Sequence, residues 1–139
     1  MISVLIDTDV LIDVALGRED FVESSSAILD LAETRRIKAF IAWHSISNFY
    51  YVVEADSKTA STLQFIRELL SFVKVAPTTT KDALYALDLD FKDFEDAIQV
   101  AAAKVCNADY LITRNVKHYS KSPIPALSPK QFLAKMRSF

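Results

Sequence analysis

Short apolar runs alternate with longer segments of helical periodicity along the whole chain. Each run is three to five residues long and stops at a polar or turn-forming residue, which is typical of buried strands. The runs predict strands at Ser3–Asp7, Ala39–Ala42, Val73–Ala76 and Tyr110–Thr113, with a short fifth strand at Pro125–Leu127.

The segments between these runs have the spacing of amphipathic helices. In the clearest case, Ala97, Ile98, Ala101 and Val105 follow Phe94 at positions that share one helix face. Such patterns predict helices at Val10–Leu16, Ser24–Arg36, Ser45–Ala55, Ser57–Phe72, Lys81–Asp88 and Asp93–Asn107, and a last helix from Ser128 or Pro129 onward. Alternating strands and helices predict one α/β domain over residues 1–139, with a parallel sheet covered on both faces.

Binding sites in open parallel sheets form beyond the carboxyl ends of the strands. Asp7 follows the first predicted strand, and packing within a sheet does not explain a carboxylate there. We therefore interpret Asp7 as a site residue and Asp9 as the N-cap of the following helix. The fourth strand ends in Thr113 and Asn115, which are short polar groups suited to a metal-bound water or a phosphate oxygen.

The stretch DFEDA, residues 93–97, places three carboxylates at the start of the strongest predicted helix. Asp93 fits the N-cap position, and acidic side chains favour a helix N-terminus. Asp96 can serve both the helix and a site, because its position points off the mouth of the helix. Glu95 is offset around the helix, and we expect it to be a solvated surface charge.

Together these residues predict carboxylates gathered at one edge of the sheet. Several carboxylates cannot all stay ionised at close range without a cation. The chain has only two His and one Cys, so oxygen ligands favour Mg²⁺ or Mn²⁺ over zinc. Arg114 and Lys117, which follow the fourth strand, supply local positive charge for a phosphate.

The composition excludes several other function classes. The single glycine, Gly17, rules out glycine-rich phosphate loops, and a net charge of −2 gives no global attraction for nucleic acid. The single cysteine, Cys106, cannot form an internal disulfide, which fits the cytoplasm. No uncharged run approaches the ~20 residues of a membrane span, so we expect no membrane association.

The order of these motifs resembles the PIN-domain family, which contains many metal-dependent ribonucleases, among them the VapC-type toxins of toxin–antitoxin pairs. The resemblance covers essentially the whole chain and rests on VLIDTDVLID, DFEDAIQVAAA, ADYLITRNVKHY and PIPALSPKQFL. It implies a three-layer α/β/α sandwich with a parallel sheet of four or five strands in the order 3-2-1-4-5. It also implies a Mg²⁺- or Mn²⁺-dependent endoribonuclease.

The resemblance also implies roles for individual residues. Asp7 and Asp96 match the metal-binding carboxylates of the family, and Asn115 matches its polar or acidic position after the fourth strand. Asp93 is a further catalytic candidate. The substrate-binding candidates are Thr113, Arg114, Lys117 and Asn48.

The chain departs from the family pattern at two positions. Asn48 stands where the family commonly has a glutamate, and His118 stands where it often has an aspartate. These neutral residues leave open a second interpretation, a non-catalytic PIN fold that binds RNA or protein through a degraded metal site. A phospho-receiver domain is disfavoured, because Pro77 and two threonines follow the third strand where that fold needs an aspartate.

The expected partners are RNA, an antitoxin protein and a second copy of the chain. The aromatic residues Trp43, Phe49, Tyr50 and Tyr51 are expected to lie mostly in the core, with part of the group forming a dimer or antitoxin surface.

Overall fold

A five-stranded parallel sheet forms the centre of the computed structural model, which describes residues 1–57 and 61–138, with the side chain of Ser57 outside that description. Its strands are β1 (Ser3–Ile6), β2 (Lys38–Ile41), β3 (Lys74–Val75), β4 (Tyr110–Ile112) and β5 (Ala126–Leu127). They lie in the order β3-β2-β1-β4-β5, and all neighbours are parallel. The predicted fold class and strand order are confirmed.

Helices cover both faces of this sheet. They are α1 (Thr8–Leu16), α2 (Val22–Glu33), α3 (Trp43–Ser57), α4 (Ser61–Leu69), α5 (Thr80–Asp88), α6 (Phe94–Val105) and α7 (Pro129–Met136), with a short 3-10 helix at Val116–Tyr119. The second helix begins before the predicted Ser24, since the carbonyl of Phe21 already accepts from the N–H of Ser25. The predicted helix Ser57–Phe72 includes residues 58–60, which lie outside the described residues.

The central strand β1 explains why the fold has three layers. Val4, Leu5 and Ile6 have no exposed surface. Val4 and Ile6 belong to the apolar cluster formed with α1, α2, α3 and α7, whereas Leu5 lies in the cluster formed with α6. Alternate residues of the strand therefore fill opposite cores, as a two-sided parallel sheet requires.

The register of β1 against β4 positions the candidate site. Ile6 pairs with Ile112, and the N–H of Asp7 donates to the carbonyl of Ile112 at 2.9 Å. Asp7 and Thr113 therefore leave the sheet side by side, at the carboxyl ends of its two central strands.

The single glycine ends the helix that begins at this edge. Gly17 adopts a left-handed conformation with φ of 62°, and its N–H donates to the carbonyls of Asp13 and Val14. This conformation favours glycine at a helix C-terminus.

No helix within the described residues is long and apolar enough to cross a membrane.

Candidate active site

Asp7 lies at the centre of a cluster of carboxylates at the carboxyl edge of the sheet. Its Oδ1 accepts from the N–H of Thr8 at 2.7 Å, so Asp7 caps α1. Its Oδ2 accepts from the Thr113 hydroxyl at 2.9 Å and from the Tyr119 hydroxyl at 3.0 Å. Only 5% of Asp7 is exposed, and the side chain of Thr113 is fully buried. Asp7 is therefore both the N-cap of α1 and a member of this cluster, and its role as a site residue stays a prediction.

Tyr119 brings Asp96 to the same place. The hydroxyl oxygen of Tyr119 lies 3.1 Å from Asp96 Oδ1 as well as 3.0 Å from Asp7 Oδ2. Asp96 sits in the first turn of α6 and is 8% exposed. The two carboxylates predicted as metal ligands therefore both lie within hydrogen-bond distance of one phenol oxygen, although 89 positions separate them in the sequence.

The number of protons in this arrangement is informative. A tyrosine hydroxyl has one hydrogen, so it can donate to only one of the two carboxylates at a time. The second short contact is favourable only when a carboxyl group itself holds a proton. Asp7 and Asp96 thus share one hydroxyl proton between them, and an added proton or cation would stabilise the pair.

Burial also favours the protonated form of these carboxyl groups. Burial, followed by the negative charges of Asp9 and Glu95, raises the pKa of Asp7 to about 8. Burial likewise raises the pKa of Asp9 and the pKa of Asp96 above their ordinary values. Carboxyl groups whose pKa is raised by burial and by like charges are those that a divalent cation would stabilise most.

Asp9 belongs to this cluster, and the prediction that it caps α1 is wrong. Its Oδ2 accepts from the side-chain amide of Asn115 at 2.9 Å and from the N–H of Arg114 at 3.3 Å. The Thr113 hydroxyl lies 3.4 Å from the same oxygen. The cap position falls to Asp7, one residue after the strand, so Asp9 in the first helical turn is free to turn toward the loop after β4. We call Asp7, Asp9 and Asp96 the acidic pocket.

Arg114 was a candidate for binding phosphate, and its side chain has a close protein partner. Its Nε lies 2.9 Å from Oδ2 of Asp13, whose side chain is 1% exposed. Arg18 contributes a second contact to Asp13 at 3.3 Å, and the guanidinium of Arg114 lies 4.4 Å from the ring centroid of Phe21. Arg114 therefore anchors the loop after β4 to α1.

The two other acidic residues of DFEDA have different environments. Asp93 is exposed and accepts from the N–H of Glu95 at 2.9 Å, so it is the N-cap of α6, as predicted. Glu95 is not the solvated surface charge expected from its position. Its Oε2 lies 3.0 Å from His44 Nε2 and accepts from Gln99 Nε2 at 3.3 Å.

The remaining candidates, Asn48 and Lys117, are exposed. Asn48 is exposed on α3, and no hydrogen bond within residues 1–57 and 61–138 joins it to the acidic pocket. Lys117 and His118 are exposed in the short 3-10 helix, and His118 Nδ1 lies 3.6 Å from Asp96 Oδ2. A cavity of about 400 Å³ opens beside Asp96, a volume typical of ligand sites. Its lining residues are Asp90, Phe91, Lys92, Asp93, Asp96, Lys117, His118, Ser120 and Lys121.

Some of the site residues that sequence reasoning missed have a recognisable local signal, and others do not. Glu95 and Gln99 are four positions apart on one helix, a spacing that places two polar side chains side by side. Asp9 and Asp13 have the same spacing on α1. Nothing in the local pattern marked Tyr119, because its importance comes from a contact with residues far away in the sequence.

The donor set fits a hard divalent cation. Buried carboxylate oxygens predominate, and Asp7 and Asp96 meet at one point. Among residues 1–57 and 61–138, no group of three or more His, Cys, Asp or Glu side chains is arranged to hold a metal ion. Mg²⁺ does not need such a cage, since it usually binds through one or two carboxylates and keeps several waters.

Several solved structures align with the fold of this chain, and one of them is a toxin–antitoxin complex. A VapBC2 structure from Rickettsia felis, bound to a promoter DNA fragment, aligns with a TM-score of 0.71 and 17% identity over 91% of this chain and 98% of that chain. A toxin–antitoxin complex from Klebsiella pneumoniae gives a TM-score of 0.66 and 24% identity over 91% and 97%. A FitAcB structure from Neisseria gonorrhoeae aligns with a TM-score of 0.58 and 15% identity, over 91% of this chain and 98% of that chain. The TM-scores show a shared fold, and at identities below 25% the alignments show the fold alone.

The family assignment comes from the sequence itself. No curated protein matches the chain significantly. The family model described as a PIN domain matches residues 3–117, which include β1 and its following carboxylates, α6 and the loop after β4. The chain therefore belongs to the PIN-domain family.

Proposed function

We propose that this PIN-domain protein is a Mg²⁺- or Mn²⁺-dependent endoribonuclease that cleaves RNA phosphodiesters. The observation that carries the proposal is the meeting of Asp7 and Asp96 at the Tyr119 hydroxyl, at the carboxyl edge of the sheet. The raised pKa of Asp7, about 8, is expected of a buried carboxyl group whose ionised form a bound cation would stabilise.

Asp7 and Asp96 would hold the divalent ion. When bound, such an ion supplies positive charge against the phosphate and lowers the pKa of a water molecule to the range of a nucleophile. Asn115 and Asp9 are bonded to each other and would orient polar groups at the mouth of the pocket. Thr113 would hold the Asp7 carboxylate in place through the hydrogen bond that its buried hydroxyl donates.

The RNA backbone would contact the cations beside Asp96. Lys92, Lys117 and Lys121 line the cavity that opens there, and lysines next to a cleavage site can hold the flanking phosphates. Arg114 is bound to Asp13 at 2.9 Å, so we assign it a positioning role and leave Lys117 as the phosphate contact. Asp93 serves the helix as its cap and the pocket as a nearby negative charge.

An antitoxin is the partner that the structural neighbours suggest, and we expect the activity in the cytoplasm. Trp43 is 70% exposed and Tyr51 is 69% exposed, so the expectation that the aromatic group lies mostly in the core holds only for Phe49 and in part for Tyr50. The exposed aromatic surface could be covered by an antitoxin or by a second copy of the chain. Light scattering would measure the oligomeric state of the isolated protein.

A second candidate function is a non-catalytic module that binds RNA or protein. Asn48 and His118, which are exposed and carry no carboxylate, favour it, because they leave fewer negative charges around the pocket than the family pattern has. This candidate predicts RNA or protein binding that does not depend on Mn²⁺.

The test is cleavage of a labelled single-stranded RNA by the purified protein with Mn²⁺ or with a chelator. We expect cleavage only with metal, and a loss of at least ~100-fold for Asp7→Asn and for Asp96→Asn, the scale of losing a group that stabilises transition-state charge. Equal cleavage by the wild type and both variants would show that the site is elsewhere. RNA binding without cleavage by any of them would favour the non-catalytic module.

A further inference from the structure

We propose that Glu95 is a cation-holding residue of the acidic pocket, and that His44 and Gln99 fix the position of its carboxylate. Asp7 and Asp96 would bind the ion, and Glu95 would add negative charge and accept hydrogen bonds from its remaining waters. This inference rests on the proposed function, because it concerns the same divalent ion.

Glu95 is held from two helices. His44 Nε2, at the start of α3, lies 3.0 Å from Glu95 Oε2, and Gln99 Nε2, one turn further along α6, donates to the same oxygen at 3.3 Å. Gln99 is fully buried, which is unusual for an uncharged amide side chain of this size. A carboxylate with two fixed donors has a defined place even though its side chain is 37% exposed.

The holding network continues to the residue beside Asp7. Gln99 Nε2 also lies 3.1 Å from the hydroxyl of Ser45 and 3.4 Å from the hydroxyl of Thr8. Thr8 in turn donates its backbone N–H to Asp7. Glu95 is therefore connected to Asp7 through Gln99 and Thr8, and it directly precedes Asp96 in the sequence.

The side-chain amide of Gln99 is not fully hydrogen-bonded in this network. Its amide nitrogen has two hydrogens and four polar atoms within 3.5 Å, while its Oε1 is buried with no hydrogen-bond partner among the described residues. A buried polar atom that no neighbouring side chain satisfies is more typical of a functional site than of a purely structural brace between α3 and α6.

Electrostatic effects distinguish Glu95 from its neighbour Asp93. The negative charge of Glu95 is among the main causes of the raised pKa of Asp7, of Asp96 and of Tyr119, whereas that of Asp93 is among them for Asp96. Glu95 therefore acts on both ligand carboxylates, as a residue that attracts a cation into the pocket must.

The experiment is a calorimetric titration of Mn²⁺ into metal-free protein for the wild type, Glu95→Gln and a control, Asp88→Asn. Gln keeps the shape and an acceptor for His44 but removes the charge. We expect Glu95→Gln to weaken Mn²⁺ binding by about tenfold or more, the usual effect of losing a group that supports a metal site. The metal-free melting temperature should barely change. Asp88 is exposed at the end of α5, so Asp88→Asn makes the same change in net charge and should bind Mn²⁺ like the wild type.

The role of His44 is tested by His44→Ala and by the double variant with Glu95→Gln. Because His44 acts through Glu95, the double variant should bind Mn²⁺ no more weakly than Glu95→Gln alone. Fully additive losses would overturn the positioning role of His44. Wild-type affinity in Glu95→Gln, with Asp7→Asn impaired, would overturn the inference and leave the proposed ribonuclease intact. A wild type that binds no Mn²⁺ would overturn both.

Discussion

The hydroxyl oxygen of Tyr119 lies 3.0 Å from Oδ2 of Asp7, and both side chains are almost completely buried. Burial and the nearby carboxylates raise the pKa of the Tyr119 phenol, so it remains a hydrogen-bond donor at any physiological pH. The contact also joins the strand that begins the chain to the 3-10 helix after β4. It therefore defines the acidic pocket and stabilises the fold around it.

Replacing Tyr119 with Phe should destabilise the metal-free protein without disturbing its packing. The ring contact with Phe91 would remain, whereas the hydrogen bonds to buried Asp7 and Asp96 would be lost. We expect the free energy of unfolding at pH 7 to fall by about 1–3 kcal/mol, measured by urea denaturation. Tyr51→Phe is the matched control, because Tyr51 is 69% exposed and its change should stay within about 0.5 kcal/mol. Equal effects of the two variants would argue against the Tyr119 contacts.

The raised pKa of Asp7 predicts how stability depends on pH when metal is absent. The unfolded chain loses the Asp7 proton near pH 3.8, whereas the folded chain keeps it until about pH 8. Between these values the folded state binds more protons, so the free energy of unfolding falls as pH rises. Above pH 8 this part of the stability is lost.

Asp7→Asn tests this dependence because an amide cannot ionise but can still cap α1. With a chelator present, we expect the variant to be more stable than the wild type at pH 8.5 by more than about 1 kcal/mol, since one pKa unit corresponds to about 1.4 kcal/mol. The difference should shrink toward pH 4. Thermal denaturation at several pH values measures it, and a wild type that gains stability on the variant as pH rises would contradict the assigned shift.

Arg114→Lys separates a positioning role from a phosphate contact. Lysine keeps the positive charge but cannot reproduce the Nε contact with buried Asp13. Because Arg18 still reaches Asp13, we expect a loss of about 3 kcal/mol in stability, at the low end for a broken buried pair, with the KM for RNA unchanged. Lys117→Gln should behave in the opposite way, with unchanged stability and weaker RNA binding. The slope of log binding constant against log salt concentration should decrease in magnitude by about 1. A raised KM in Arg114→Lys at full stability would identify Arg114 as the phosphate contact.

Asp93→Ser tests whether Asp93 is mainly a helix cap. Serine caps helices about as well as aspartate, so stability should change by only a few tenths of a kcal/mol, whereas Asp93→Ala should cost about 1 kcal/mol. Mn²⁺ affinity in Asp93→Ser should fall less than in Asp96→Asn, because Asp93 is exposed and its carboxylate is bound to the N–H of Glu95. A larger fall in Asp93→Ser would place Asp93 among the direct ligands.

The fold could be predicted from the sequence because its strands and helices have clear local patterns. The run before Asp7 and the periodicity after Phe94 correspond to β1 and α6, and Asp93 caps α6 as its short polar side chain predicts. Errors occur at the ends, as in the start of α2 at Val22, where Phe21 provides only a backbone carbonyl. A backbone interaction of this kind leaves no mark in the sequence.

The site was predicted less completely, and the reason is the same for each missed residue. Asp9 and Glu95 both look like ordinary acidic residues in the first turn of a helix, where such residues are common. Their partners, Asn115 and His44, are 106 and 51 positions away and come close only through the tertiary fold. Local pattern can place a carboxylate on an element, but it cannot show which polar group on another element faces it.

The most direct test of the account is a titration of Mn²⁺ into the metal-free protein. Binding is measured as the loss of the free-ion signal in electron paramagnetic resonance. We predict one ion for each chain, with affinity reduced at least about tenfold in both Asp7→Asn and Asp96→Asn. The two variants should be similarly impaired, since their carboxylates meet at Tyr119. Undiminished binding in either variant, or no binding in the wild type, would contradict a shared metal site at Asp7 and Asp96.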